Sequence, residues 1–324
     1  WIGAKQRAGV STARRRAVSR AVYTDGPVTA RGRKILDAYK KAGARVETKG
    51  RVKLRTKDDL ALYYTPGVGV ASMHLAAQPK AARQLSIKRN SVAVISDGSA
   101  VLGLGNIGPY GALPVMEGKA LIFKEFAGVD AWPIVLSTQD PDEIVRTITA
   151  IAPGFGGINL EDIKAPQCFD IEQRLIEALD IPVMHDDQHG TAIVVLAGLM
   201  NAATVVKKSL KKLRVVISGA GAAGTAVAKL LLAAGIKDIV VLDRAGTIYA
   251  GREGLTSHKK ELARLTNPSG IRGSLGDTLA DADVFIGVSG KGALTKAMVA
   301  RMAKDAIIFA LANPEPEILP SDAR

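Results

Sequence analysis

Between residues 213 and 242 the chain reads as a β-branched run, a glycine turn, an Ala/Leu-rich stretch and a second β-branched run. Few folds accept that order. The turn is Gly219-Ala220-Gly221-Ala222-Ala223-Gly224, a G-x-G-x-x-G. Alone this pattern is weak. Between a strand over 213–218 and a helix over 222–234 it acquires a physical meaning. Gly219 permits the tight turn, Gly221 lets a pyrophosphate reach the backbone, and Gly224 lets helix and strand pack closely. The free N–H groups of the helix start, at Ala222 and Ala223, then face the anion. Asp243, 24 residues beyond Gly219, ends the next strand and can accept both ribose hydroxyls. An acid there favours NAD by repelling a 2′-phosphate, whereas Arg244 beside it can pair with that phosphate, so NAD and NADP both stay open. Further strands over 283–288 and 306–311, with a helix over 295–303, complete a Rossmann-type unit.

The first half has the same alternation. Strands are expected over 91–96, 132–136, 158–160 and 181–184. Helices are expected over 114–127, 140–151 and 169–179, with a Gly-rich turn over 103–111. Strands alternating with helices imply parallel βαβ units and an α/β fold. Residues 190–206 read as a long, nearly all-apolar helix, buried as a bridge between two domains. At roughly 100–200 residues per domain, 324 residues suit two domains. The expected division is a basic arm over 1–55, a first domain over 56–192 and a dinucleotide domain over 193–324.

Glu161-Asp162 and Asp186-Asp187 each follow a strand's last apolar residue. Strand ends of a parallel sheet converge on one edge. Carboxylates gathered there repel one another unless they share a cation, and oxygen donors suit Mg²⁺ or Mn²⁺. Helix capping or a solvated loop is the other reading of these acids. No His/Cys zinc spacing occurs, and His185 and His189 are read as shaping the loop.

The net charge of +13 is localised. Residues 1–60 hold 17 Lys/Arg and five Asp/Glu, which leaves the remainder one net positive charge. Arg14, Arg15 and Arg16 belong to this segment. It is read as a solvated basic arm that packs on a partner subunit; a tail drawn to phosphate or a targeting remnant are the other readings. The nearly neutral body, without interleaved aromatic and basic residues, argues against nucleic-acid binding. The single cysteine, Cys168, excludes an intrachain disulfide and fits a reducing compartment, so a cytoplasmic protein is expected. No apolar run approaches a membrane span and no signal-peptide pattern occurs. The first residue is Trp1, so the natural start is expected upstream.

Several further motifs stand in register: Tyr64-Thr65-Pro66-Gly67-Val68-Gly69, Ser96-Asp97-Gly98, Gly103-Leu104-Gly105-Asn106-Ile107-Gly108 and Pro114 through Lys119. Asn159-Leu160-Glu161-Asp162 and His185-Asp186-Asp187-Gln188-His189-Gly190-Thr191 follow. In order and spacing, over about residues 55–315, they resemble the successive motifs of malic enzymes, most of all the short bacterial and archaeal type. The resemblance implies an N-terminal α/β catalytic and metal domain of the malic-enzyme type, followed by a C-terminal Rossmann-type NAD(P)-binding domain. It implies oxidative decarboxylation of (S)-malate to pyruvate and CO₂ with reduction of NAD or NADP, by a homodimer. Tyr64 would be the acid that protonates the enol and Lys119 the base for the malate hydroxyl. Glu161, Asp162 and Asp187 would hold Mg²⁺ or Mn²⁺, with Asp186 beside them or on the substrate. Asn313 would contact substrate or nicotinamide, and Ser289 completes the cofactor set. Apart from the family, Tyr64 reads as an aromatic packed beside a turn and Lys119 as a helix-surface lysine; Lys124 reads as solvated.

Two features depart from the family. Its longer members carry an arginine for the substrate carboxylate after the Asp-Gly motif, where this chain has Ser99-Ala100. The family also continues beyond the Asn-Pro motif into another strand-and-loop, so the dinucleotide domain is expected to be truncated at Arg324. The alternative enzyme is a metal-free two-domain dehydrogenase of the amino-acid dehydrogenase kind, separable by its indifference to a chelator.

Overall fold

The computed structural model describes residues 29–101, 104–313 and 315–324. Arg14–Arg16 with the rest of the arm up to residue 28, and Gly103 of the glycine-rich turn, lie outside the described residues. Residues up to Glu47 and residues from Thr48 onward form separate compact units. The described part of the first contains helix α1 (Ala30–Ala42), where only a basic arm was expected. Thr29 starts it by accepting the Gly32 N–H, and Gly43 at φ 68° ends it. None of its residues is buried within the chain.

The second unit opens with helices α2 (Lys57–Tyr63) and α3 (Gly67–Ala77). A capping box between Thr56 and Asp59 sets the start of α2. Four parallel strands follow: β1 (Ser91–Ser96), β2 (Asp130–Val135), β3 (Gly157–Leu160) and β4 (Val183–His185), ordered β2-β1-β3-β4. The helices between them are α4 (Gly108–Ala127), α5 (Pro141–Ile151) and α6 (Gln167–Ala178). Ala93 and Ile95 point to one face of this sheet and join Ile144, Ile148, Ile171 and Leu175 in a core, while Val94, also fully buried, points to the other. Ile95 pairs with Leu160, and Leu160 with His185, so the residues after each strand emerge at one edge.

Helix α4 begins six residues before its expected start. Pro109, not Pro114, lies in its first turn, where a missing N–H costs nothing; Pro114 sits inside the helix. Helix α7 (Asp186–Val205) likewise begins four residues early, at the two aspartates, because acids are favoured where unpaired N–H groups gather. The buried-bridge expectation for α7 is half wrong. Ala192, Val195, Leu199 and Ala203 are buried at helical spacing, but Ile193 and Val194 are 57% and 67% exposed.

The second sheet is β5 (Arg214–Ser218), β6 (Asp238–Asp243), β7 (Gly246–Thr247), β8 (Val284–Gly287) and β9 (Ile307–Ala310). Its order is β7-β6-β5-β8-β9, with only the short edge strand β7 antiparallel. Helix α8 (Ala222–Ala233) follows β5, and α9 (Ser257–Leu265) lies between β7 and β8. Val215 and Ile217 face a core shared with Leu199 and Leu231, while Val216, Val240 and Phe285 face another. Burial on both faces explains the unbroken apolar strands. The helix expected over 295–303 is a single turn, Lys296–Val299. Beyond it the bonds tighten, with Arg301 N–H reaching Met298 and Met302 N–H reaching Val299, so the helix does not propagate. No described helix is long and apolar enough to cross a membrane.

Candidate functional site

Four carboxylates and one lysine meet at the end of the first sheet. Glu161 and Asp162 follow β3, and Asp186 and Asp187 occupy the first turn of α7. Glu161, Asp162 and Asp187 each offer an oxygen, and these three oxygens lie within 4.8 Å of one another. Glu161 and Asp162 are buried. Asp162 has a left-handed backbone, φ 55°, and its N–H donates to Asp187 Oδ2 at 2.9 Å. Lys119, on α4, places Nζ 2.6 Å from Asp186 Oδ2 and 3.0 Å from Glu161 Oε1.

The cluster brings more carboxylates together than its one lysine pairs with. Burial pushes the Glu161 carboxyl up to about 7; Lys119 opposes the rise, and Asp187 and Asp186 add to it. Burial works against the Lys119 ammonium, but Glu161 and Asp186 outweigh it and raise the pKa above the usual lysine value. One lysine therefore serves several acids. A hard divalent cation fits the all-oxygen donor set and would relieve the repulsion that remains.

Neighbouring groups hold these acids in place. Glu172, buried on α6, accepts from the His185 N–H at 2.8 Å and from Gln188 Nε2 at 3.0 Å, and lies 2.9 Å from His189 Nε2. His185 Nε2 lies 3.2 Å from Asp187 Oδ2. His189 thus contacts a carboxylate of α6 and His185 one in the first turn of α7, and neither histidine belongs to the three-oxygen cluster. Glu172 was missed from sequence, although an acid on the buried row Cys168, Ile171, Glu172, Leu175 was a usable signal. On the other side, Ser99 Oγ donates to Asp97 Oδ1 and accepts the Lys164 N–H, and Ala100 N–H reaches the Asp162 carbonyl. Ser99 therefore ties the two loops together. Tyr64 ends α2 with 63% of its surface exposed, and among the described residues no hydrogen bond joins it to the acids. Lys124 pairs with Asp130 at 2.6 Å on the exposed side of α4.

The glycine turn has the geometry its pattern implies. Gly219 adopts φ 121°, and a Cβ there would come within 2.6 Å of the Val288 carbonyl oxygen. A Cβ on Gly224 would collide with the Gly219 carbonyl, whereas one on Gly221 would meet nothing within 4 Å and face open space. Asp243 is more engaged than the motif suggests. Its Oδ1 takes Arg252 Nη2 at 2.8 Å and its Oδ2 takes Lys259 Nζ at 2.7 Å. Burial raises this carboxyl, but Lys259 and Arg252 outweigh it and hold it below the usual value. Arg244 is exposed. Arg252 and Lys259 escape a sequence reading because they lie one loop and one helix away. Ser289 follows β8 with Oγ 3.1 Å from Ser218 Oγ, and Asn313 is exposed just beyond β9.

The two regions adjoin. Ala222, the first residue of the helix after the glycine turn, packs against the core of the first sheet. Fold and site define a class: dinucleotide-binding α/β proteins with an all-oxygen carboxylate cluster on the adjoining sheet. Residues 43–141 and 137–176 match the malic enzyme N-terminal domain, and residues 188–323 match the malic enzyme NAD binding domain. The chain belongs to the malic enzyme family.

Its relatives agree. It is 57% identical over 278 residues to an NAD-dependent malic enzyme of Geobacillus stearothermophilus, covering 86% of this chain and 58% of that one. A bifunctional malic/malolactic enzyme of Bacillus subtilis is 55% identical, with 89% and 71% covered. An NADP-dependent malic enzyme of Salmonella typhimurium is 50% identical, with 84% and 36% covered. The chain thus spans little more than half of the first relative's length. The crystal structure of an NAD-dependent malic enzyme from Thermotoga maritima superposes with a TM-score of 0.86 at 46% identity, covering 89% of this chain and 77% of that one.

Proposed function

We propose that this chain oxidises and decarboxylates (S)-malate to pyruvate and CO₂ with reduction of NAD or NADP. The observation that carries the reading is Lys119 bridging Glu161 and Asp186 at the edge of a three-carboxylate cluster, on a core that also packs the helix after the glycine turn. In this reading residues 56–192 hold the substrate and cation, residues 193–324 hold the dinucleotide, and two copies associate as a homodimer.

Glu161, Asp162 and Asp187 hold Mg²⁺ or Mn²⁺. Gly219, Gly221, Ala222, Ala223 and Gly224 receive the pyrophosphate, Asp243 the adenosine ribose, and Ser289 and Asn313 the nicotinamide side. When bound, the cation supplies Lewis acidity at the substrate's C2 oxygen and the oxidised nicotinamide supplies a hydride acceptor. Lys119 accepts the proton of the C2 hydroxyl as the C2 hydride departs. Asp186, in contact with Nζ, orients it. The resulting β-keto acid loses CO₂, and Tyr64 delivers a proton to C3 of the enol. Lys119 can act as a base only while Glu161 is engaged elsewhere, since both carboxylates together favour its protonated form. Arg252 and Lys259 neutralise Asp243, which weakens the repulsion of a 2′-phosphate and supports use of NADP as well as NAD.

Initial rates at the reduced-nicotinamide absorbance band, with malate against NAD and NADP, test the reading. Rates should require Mn²⁺ or Mg²⁺ and vanish with a chelator. A rate that survives chelation would favour a metal-free dehydrogenase instead.

A further inference from the structure

Glu317 is fully buried, and among the described residues no lysine, arginine or histidine lies within ion-pairing distance of it. A buried carboxylate without a cation is costly unless its oxygens are met by donors. Here the donors come from two loops. Oε1 accepts the Ser289 N–H at 2.9 Å and the Ser289 hydroxyl at 3.3 Å, and Oε2 accepts the Ala312 N–H at 3.0 Å. The Glu317 carbonyl adds a bond from the Leu294 N–H at 3.2 Å.

These loops leave neighbouring strands. Gly287, the last residue of β8, pairs with Ala310, the last of β9. The carboxylate fills the space beside Gly287, where a Cβ would come within 2.7 Å of both its oxygens. In an open α/β sheet a dinucleotide lies across the strand ends where the strand order reverses, here between β5 and β8. The acid that meets the adenosine ribose sits on β6, so the other half of the dinucleotide falls over β8 and β9. Ser289 Oγ also reaches Ser218 Oγ, directly before Gly219, and Asn313 follows Ala312.

We infer that Glu317 is a positioning residue for the nicotinamide half of the dinucleotide, clamping the loops after β8 and β9 through the Ser289 and Ala312 amides. The inference rests on the dinucleotide reading of the glycine turn. Glu317→Gln keeps the size but exchanges one acceptor oxygen for an NH₂ group, which faces an N–H whichever way the amide turns. Calorimetry on the whole chain would use NADH and ADP as probes; ADP lacks the nicotinamide half. The variant should bind NADH about tenfold more weakly, the scale of losing one hydrogen bond to a charged group. Its affinity for ADP should be unchanged. Equal weakening for both probes would reduce Glu317 to a purely structural role, and an unchanged NADH affinity would overturn the inference outright. If the unsubstituted chain bound neither probe, the dinucleotide reading would fall and take this inference with it.

Hydrogen exchange on the unsubstituted chain needs no variant and covers the case in which Glu317→Gln does not fold. The Ser289 and Ala312 amides should exchange slowly, and slower still with NADH but not with ADP. Fast exchange of both, or equal slowing by either probe, would overturn the clamp.

Discussion

Lys119→Ala should lower malate turnover by about 10³-fold at saturating malate, dinucleotide and Mn²⁺, within the range that a positioned acid–base group contributes. The side chain reaches the cluster from α4 and touches Glu161 and Asp186 simultaneously, so its removal takes away the amine proposed to accept the hydroxyl proton. Dinucleotide affinity should be unaffected, because the glycine turn lies on the other sheet. Mn²⁺ should bind at least as tightly as before, since the competing ammonium is gone. Without Mn²⁺ the variant should melt at a lower temperature, because the crowded carboxylates lose their cationic partner. Steady-state rates with a parallel Mn²⁺ titration separate these effects. Unimpaired turnover would remove Lys119 from the chemistry.

Asp187→Ala should weaken Mn²⁺ binding by on the order of 100-fold or more, beyond what loss of a merely supporting residue costs. It removes a candidate ligand oxygen, the acceptor of the Asp162 N–H and the carboxylate beside His185. Asp162 is held at φ 55°, a conformation costing on the order of 1–3 kcal/mol that persists only where its surroundings impose it. Releasing that amide should therefore disorder a second ligand along with the first. Turnover should fall with metal occupancy and recover in part at high Mn²⁺. An undiminished Mn²⁺ affinity would show that the ion binds elsewhere.

Where hydrophobic runs end in acids or glycines, the sequence was informative. The ends of β1, β3 and β5, the turn at Gly219 to Gly224 and the acids 161, 162, 186 and 187 were readable from local pattern, and the structure gathers the acids around Lys119. The start of α4 was misread because two prolines compete for its first turn. The start of α7 was misread because its first two residues are the acids themselves. The exposure of Ile193 and Val194 was hidden because composition does not say which face of an apolar helix has a partner. Arg252, Lys259 and Glu317 were invisible for a common reason. Each acts on a residue brought near by tertiary folding, and a lone charged residue in a sequence looks the same whether it faces water or holds a loop.

Anomalous diffraction from crystals grown with Mn²⁺ tests the carboxylate centre most directly. One strong peak should lie between the side chains of Glu161, Asp162 and Asp187, with an oxygen of each in contact with the ion. No peak there, with Lys119 still bridging Glu161 and Asp186, would mean that the acids form a structural ion-pair network and that the proposed chemistry has no metal centre to work from.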